Sequence, residues 1–281
     1  MKHTHENNVE KFYSLSTDIR GLQEEGYLSF GYWTDEITEY SQAVKTLINR
    51  ILKYEKPLNS GTVLNVACGY GSETVEIYKK IHPEKIIAID ITDSHIQFAK
   101  HQISSLNLSD KIDFEKMDAC KLNFPAESFD YVIGIEGPAH FNTREIFLRK
   151  AYEMLKPKGV LLLSDIIVDN IVAGKNLYNR IIAKFCAKHW YMPKANWMSI
   201  KEMNNLLNKI GFDIDFSESA GKYVYPGFSQ YNLKMKSIKN AIRTRGIRIG
   251  LALSFISWLL GYVHRRKMID YVILRAIKKA A

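Results

Sequence analysis

The stretch IEGPAHFNTR (135–144) puts a glutamate and a histidine four residues apart, Glu136 and His140, directly after an apolar run. Such a pair can move a proton: an imidazole titrates near neutrality, and a carboxyl in apolar surroundings holds its proton to higher pH. The same two residues also fit a strand end that merely meets solvent. Other candidates stand at other run ends. Gly69 and Gly71 follow the run TVLNVAC (62–68), Asp90 closes KIIAID (85–90), and Asp118 closes KIDFEKMD (111–118). Glycines at such a turn let backbone approach a ligand, and the helix beyond presents free N–H groups. Asp90, 21 residues after Gly69, is placed to take ribose hydroxyls. Asp118 occupies a second acidic position that suits an adenine amino group. A glycine pair alone is weak evidence, since some such turns are merely tight packing. The run GYGSET has Thr74 where a dinucleotide site carries its third glycine, and the chain has no GxxxxGK[ST] run for a triphosphate.

These residues act together only if a sheet brings the run ends to one edge. The apolar runs alternate with amphipathic stretches: SETVEIYKKI after the glycines, SHIQFAKHQISSL after Asp90, and REIFLRKAYEMLK (144–156) after the glutamate and histidine. FDYVIGIE (129–136) and GVLLLSDI (159–166) add two more runs, the second entered through a hairpin-like KPKG. Continuous apolar strands between such helices make a parallel sheet covered on both faces. Beyond Asp165 the pattern loosens, then the helix SIKEMNNLLNKIGF and the strand FDIDFSES restore it. Residues 237–267 read as helical and IDYVILRAI (269–277) as a last strand. The chain is read as a single domain over 1–281. It comprises a helical and aromatic cap (1–55), a cofactor-binding core (56–170), cap insertions (171–200 and 222–267) and the strand at 269–277.

Taken together, these motifs resemble those of class I S-adenosylmethionine-dependent methyltransferases. VLNVACGYG looks like their glycine motif and IIAIDIT their ribose-acid strand. MDACKLNFPAESFDYVIGIE matches their third and fourth strands, and MLKPKGVLLLSDI the strand after. The resemblance implies a Rossmann-like α/β fold: a seven-stranded, mostly parallel sheet with helices on both faces, an antiparallel last strand and a helical cap. It implies S-adenosyl-L-methionine as cofactor, held by Asn65, Ala67, Gly69, Gly71, Asp90, Ile91, Asp118, Ala119 and Glu136. Asn65 stands where an aspartate is usual and Ala67 where a glycine is usual, so the first offers a hydrogen bond without a charge. YLSFGYW and HFNTREIFLRKAYEMLKPKG look like the small-molecule group, which includes the rebeccamycin sugar O-methyltransferase and the sterol and tocopherol C-methyltransferases. There an N-terminal aromatic segment closes over the cofactor, and Tyr13, Tyr32 and Trp33 are the matching residues; each is equally an ordinary packing aromatic. His140 matches the histidine of the natural-product O-methyltransferases, and Ile135–Glu136 the isoleucine–glutamate pair of the sterol-type enzymes. His140 and Glu136 are thus the catalytic candidates. The Asp/Asn-Pro-Pro-Tyr/Phe run of nucleobase methylation is absent from IEGPAH. His3, His5, His82, His95, His101 and His264 are expected to be solvated, and His189 belongs to the cap.

Composition bounds the rest. The 281 residues are 46% hydrophobic and 25% charged, ordinary for a globular protein. Cys68, Cys120 and Cys186 form no CxxC pair, which argues for reduced thiols and against a zinc site. No apolar leader segment is read at the N-terminus, so the expected location is cytoplasmic, with membrane association open. The net charge of +9 is local: residues 222–281 carry thirteen Lys/Arg against one acid. Within them, IGLALSFISWLLGYV (249–263) has no charge and is too short to span a bilayer. As a helix it either caps the pocket or touches an anionic membrane through 235–267, and both imply a hydrophobic acceptor. The cations could also receive a phosphorylated substrate; DNA is not expected. Against a methyltransferase for hydrophobic small molecules, by O- or C-methylation, stand two alternatives. One is a non-catalytic cofactor-binding protein at a membrane surface, the other an RNA methyltransferase with a basic arm.

Overall fold

In the computed structural model, residues 4–14, 26–169 and 175–280 are described. Seven strands form one sheet in the order β3-β2-β1-β4-β5-β7-β6. They are β1 (Thr62–Val66), β2 (Lys85–Asp90), β3 (Ile112–Lys116), β4 (Phe129–Ile135), β5 (Leu155–Val168), β6 (Phe212–Ser219) and β7 (Ile269–Lys278). The first five run parallel, and β7 lies antiparallel between β5 and β6. The sheet the sequence implied is present, antiparallel last strand included.

Strand periodicity divides the core. Val63, Ile133, Leu162 and Ile273 face one side, while their neighbours Leu64, Val132, Leu161 and Leu274 face the other. On the first side pack α2 (Tyr40–Ile51), α3 (Ser72–Ile81) and α4 (Asp93–Ser105), together with α8 (Gly221–Leu233) and α9 (Met235–Arg265). On the second pack α5 (Arg144–Met154) and α7 (Ile200–Ile210). Buried Ala43, Val44, Leu47, Ile48 and Ile51 on α2 show the spacing of three and four that turns one helix face inward. A capping box, Ser199 with Glu202, starts α7, and Gly211 follows it. Two further helices, α1 (His5–Ser14) and α6 (Leu177–His189), lie at the carboxyl edge and in the cap.

Some elements depart from expectation. β5 begins at Leu155, so KPKG belongs to the strand; Lys158 takes φ 64° and the pairing with β4 shifts register there. Helix α8 carries Pro226 inside it and glycines at 221 and 227, residues that hide a helix in sequence. Tertiary packing overrides them, for Gly227 lies against the Trp33 ring where no larger residue fits. Helix α9 starts at Met235 and is broken at Gly246, whose φ of 78° is open to glycine.

The chain leaves β1 toward β2 and β3, then returns to β4 on its other side. This reversal leaves a crevice at the carboxyl ends of β1 and β4, the place where open α/β sheets bind ligands. Gly71 shapes it from below. At φ 87° it precedes the first residue of α3, and a Cβ there would lie 2.6 Å from Phe114 Cζ and 3.0 Å from Ala99 Cβ. Gly71→Ala is therefore expected to cost about 1–3 kcal/mol of stability, measurable by denaturant unfolding; an unchanged midpoint would show that α3 and α4 can part at no cost.

Candidate active site

Over the crevice lies a cavity of about 300 Å³. The ends of β2 and β3 contribute Asp90, Ile91, Asp118 and Ala119; the turn after β1 contributes Ala67 and Gly69. Glu136 and His140 line it from beyond β4, and Leu28, Ser29 and Phe30 from the aromatic loop. Trp190, Phe228, Leu253, Ile256 and Leu260 close it with apolar surface from the cap.

Two acids are fixed by backbone. Asp90 accepts from the amides of Gly69 (3.0 Å) and Thr92 (2.8 Å), and His95 Nδ1 stands 3.5 Å away. Burial pushes its carboxyl up, yet His95 and the two amides outweigh this and hold it below the usual range. Its Oδ2 keeps a second lone pair for a ligand. Asp118 accepts from the Cys120 amide (2.9 Å) and pairs with Lys121 at 3.1 Å. Asn65 is engaged within the fold: it accepts from the Thr74 hydroxyl (2.7 Å) and donates to the Ile133 carbonyl (3.1 Å). Ala67 takes φ 52°, a conformation that favours glycine, and its methyl fits because residue 137, against it, has no side chain.

A third acid escaped the sequence reading. Glu73, in the first turn of α3, is buried, at 7% exposure. Its Oε1 accepts from the amides of Leu28 (2.9 Å) and Ser29 (3.2 Å) and the Ser29 hydroxyl (3.0 Å). Burial raises its pKa against these bonds. Glu136 holds the next residue of that loop. Its Oε1 accepts from the Phe30 amide (2.8 Å) and from the Tyr271 hydroxyl on β7 (2.8 Å). Burial pushes Glu136 up to about 8, with the Phe30 and Tyr271 bonds pulling the other way. It is thus mostly protonated at neutral pH.

His140 ends a short turn, Pro138–His140, and meets Tyr13 of α1, whose hydroxyl lies 3.2 Å from Nε2. The residue has some surface at the cavity, but its Nδ1 is shut away from solvent. Burial pushes the imidazole down to about 4, so it is neutral across the physiological range. His5 donates to this turn as well, its Nε2 lying 2.8 Å from the His140 carbonyl, which can only accept. The turn itself rests on a buried ion pair. Arg144 donates through Nε to Asp165 Oδ2 (2.9 Å) and through its terminal nitrogens to the carbonyls of Asn196 (2.6 Å) and Ile166 (2.9 Å). Asp165 Oδ1 accepts from the Ala139 amide (3.1 Å), and Asn196 donates to the carbonyls of Ala139 (3.0 Å) and Phe141 (2.7 Å).

Tyr13, Asn65, Ala67, Gly69, Asp90, Ile91, Asp118, Ala119, Glu136 and His140 all line the cavity; Gly71, Tyr32 and Trp33 do not. Tyr32 stacks on Tyr223 (4.7 Å between centroids) and Trp33 meets Tyr231 at a tilt (5.3 Å), so both anchor the aromatic loop to α8. Histidine placement corrects the sequence reading at 95: His95 is 1% exposed, because the face of α4 that carries it turns toward the cavity. His5 also lines the cavity, His189 is exposed, and His3 lies outside the described residues.

A "Methyltransferase domain" family model matches residues 58–222, more than half of the chain. The chain belongs to the methyltransferase-domain family. The erythromycin 3''-O-methyltransferase of Saccharopolyspora erythraea is 32% identical over 156 residues, 55% of this chain and 51% of that protein. This chain thus spans about half the length of that relative. The 27-O-demethylrifamycin SV methyltransferase of Amycolatopsis mediterranei is 28% identical over 80% of each chain. The cyclopropane synthase MmaA2 from Mycobacterium tuberculosis shares the fold at a TM-score of 0.79, with 18% identity, over 98% of this chain and 99% of that one.

The cavity suits the cofactor of this methyltransferase family. A Cβ at Gly69 would lie 2.8 Å from Leu28 Cδ1, so the turn stays bare, and the Thr92 hydroxyl and His95 Nε2 are buried at the wall without a described partner. Asp90 and Asp118 would hold the adenosine hydroxyls and amino group of S-adenosylmethionine. Glu136 and Glu73 supply the carboxyl groups nearest the aromatic loop. The raised pKa of Glu136 has a sign that can be checked. Between the ordinary glutamate value and about 8, unfolding releases its proton, so this residue's contribution to stability falls as pH rises. Glu136→Gln keeps an oxygen for the Phe30 amide. It should raise Tm relative to wild type at pH above about 8 and change it little near pH 4–5. A pH-independent difference would show that the carboxyl is not held protonated. Arg144→Ala leaves Asp165 buried without its countercharge and should cost about 3–5 kcal/mol; a loss under about 1 kcal/mol would mean the pair behaves as a surface one.

Proposed function

We propose that this methyltransferase methylates a hydroxyl group on a hydrophobic small molecule, with His140 as proton acceptor. S-adenosylmethionine supplies the methyl group on a sulfonium, already a good leaving group, so the protein mainly aligns the nucleophile and keeps water out. The observation that carries the reading is placement: both candidates line the cavity beyond β4, but Glu136 Oε1 is taken by the Phe30 amide and the Tyr271 hydroxyl, which hold it to the loop and to β7. Burial pushes His140 down to about 4, so its ring is neutral at physiological pH and acts as a weak base, taking the hydroxyl proton as the methyl group is transferred. Glu136 keeps its own proton up to about 8 and is not a base at neutrality. Tyr13, 3.2 Å from His140 Nε2, orients the ring. The relatives named for O-methyl transfer to erythromycin and rifamycin substrates support a large, mostly apolar acceptor, as do Trp190, Phe228, Leu253 and Ile256 around the cavity. The cap helix α9 borders that cavity, which suits an acceptor drawn from a lipid phase. Three free cysteines fit a reducing, cytosol-like compartment.

The test is turnover of labelled donor with extracted apolar acceptors, followed against pH. His140→Ala should lower kcat by roughly 10²–10⁴-fold while the donor dissociation constant stays as in wild type. For the wild type, kcat/KM should be level through the ordinary histidine range and fall only toward pH about 4. A rate that instead climbs to a plateau above about 8 would assign the proton to Glu136 and favour carbon methylation.

A further inference from the structure

The cap presents an apolar surface that no part of the described chain covers. On α6, Leu177, Ile181 and Phe185 are 70%, 59% and 44% exposed; on α9, Leu251, Phe255 and Trp258 are 54%, 51% and 46% exposed. Spacings of three and four put each trio on one helix face. The two stripes are adjacent, because the Tyr178 hydroxyl of α6 lies 2.8 Å from the Tyr262 hydroxyl of α9, and Arg266 sits over both rings. Phe255, Trp258 and Tyr262 continue the stripe as a stack. A patch of this kind on a soluble protein marks an interaction surface.

Charge says what covers it. Residues 170–201 and 219–269 contain no aspartate or glutamate. Arg180 and Lys184 on α6, and Arg248 and Arg265 on α9, are exposed beside the apolar stripes. Exposed aliphatic and aromatic side chains beside exposed cations complement an anionic lipid surface, with its negative headgroups over an apolar interior. The segment Gly246–Arg265 is 20 residues long with mean hydropathy 1.6, and only a third of it is buried. It does not leave the fold to cross a bilayer: Leu253, Ile256 and Leu260 on its inner side line the cavity, and Gly261 packs against Ser229 of α8.

We infer that α6 and α9 form a docking face for an anionic membrane, with α9 lying in the lipid interface and its inner side bordering the acceptor cavity. This rests on the proposed hydrophobic acceptor only for its purpose, since lipid binding is read without methyl transfer. The experiment is flotation of the full chain with vesicles of phosphatidylglycerol and phosphatidylcholine, against phosphatidylcholine alone. The chain should float with the anionic vesicles and be released by salt. The double variant L251E/F255E should bind them about tenfold more weakly or less, with donor affinity and Tm as in wild type. Wild type that stays in solution, or a variant that floats equally well, overturns the inference. So does wild type that dimerises through this face in solution and ignores vesicles, which would give the patch to a second copy. A chain that floats as expected but transfers no methyl group refutes the proposed function and leaves this inference standing.

Discussion

The guanidinium of Arg144 is the constraint on which the site depends. It is 1% exposed and carries a positive charge, and so needs a carboxylate and several acceptors around it. Asp165 at the carboxyl end of β5 supplies the charge, and the carbonyls of Ile166 and Asn196 take the remaining N–H groups. Because the other oxygen of Asp165 and the amide of Asn196 bind the backbone of Ala139 and Phe141, the same knot fixes the turn that carries His140. One ion pair thus joins β5, the chain beyond β4, the start of α5 and the cap at Asn196. Its polar satisfaction limits where the imidazole can stand.

A second set of buried charges fixes the opposite wall. Glu73 on α3 and Glu136 just beyond β4 together bind three consecutive residues, Leu28, Ser29 and Phe30. Amides held by carboxyl groups cannot drift without stranding a buried acceptor, which costs more than the bond itself returns. The aromatic loop is then pinned to α8 by Tyr32 and Trp33 from its outer side. The cavity between these walls carries carboxylates toward β2 and β3 and apolar groups toward the cap. That asymmetry suits a polar, cationic cofactor and a hydrophobic acceptor meeting in one place.

Much of the fold was legible because parallel strands buried on both faces must be apolar throughout, as TVLNVAC, KIIAID and GVLLLSDI are. The glycine turn and the acids at strand ends were legible for the same reason, since topology alone brings run ends to one edge. What escaped depends on tertiary contacts. Helix α8 is held despite Pro226 by packing against Trp33 and β7, which composition cannot show. His95 sits on a helix face whose direction is set by the sheet, so it was expected to be solvated, and Glu73, buried on α3 for the same reason, was not singled out at all. Arg144, Asp165 and Asn196 lie 21 and 31 residues apart in sequence, and no local pattern links them. Of the three closing aromatics expected beside the cofactor, Tyr13 lines the cavity, while Tyr32 and Trp33 brace the loop, whose Leu28, Ser29 and Phe30 reach the cavity.

The central claim is that the β1–β4 crevice holds the methyl donor with its reactive end beside His140. A crystal structure of the chain with S-adenosylhomocysteine tests it most directly. The ribose hydroxyls should lie within hydrogen-bond distance of Asp90, the adenine beside Asp118, and the sulfur at the end of the cavity bounded by Glu136 and His140. A cofactor bound elsewhere, or with its adenine beside His140, would contradict the account.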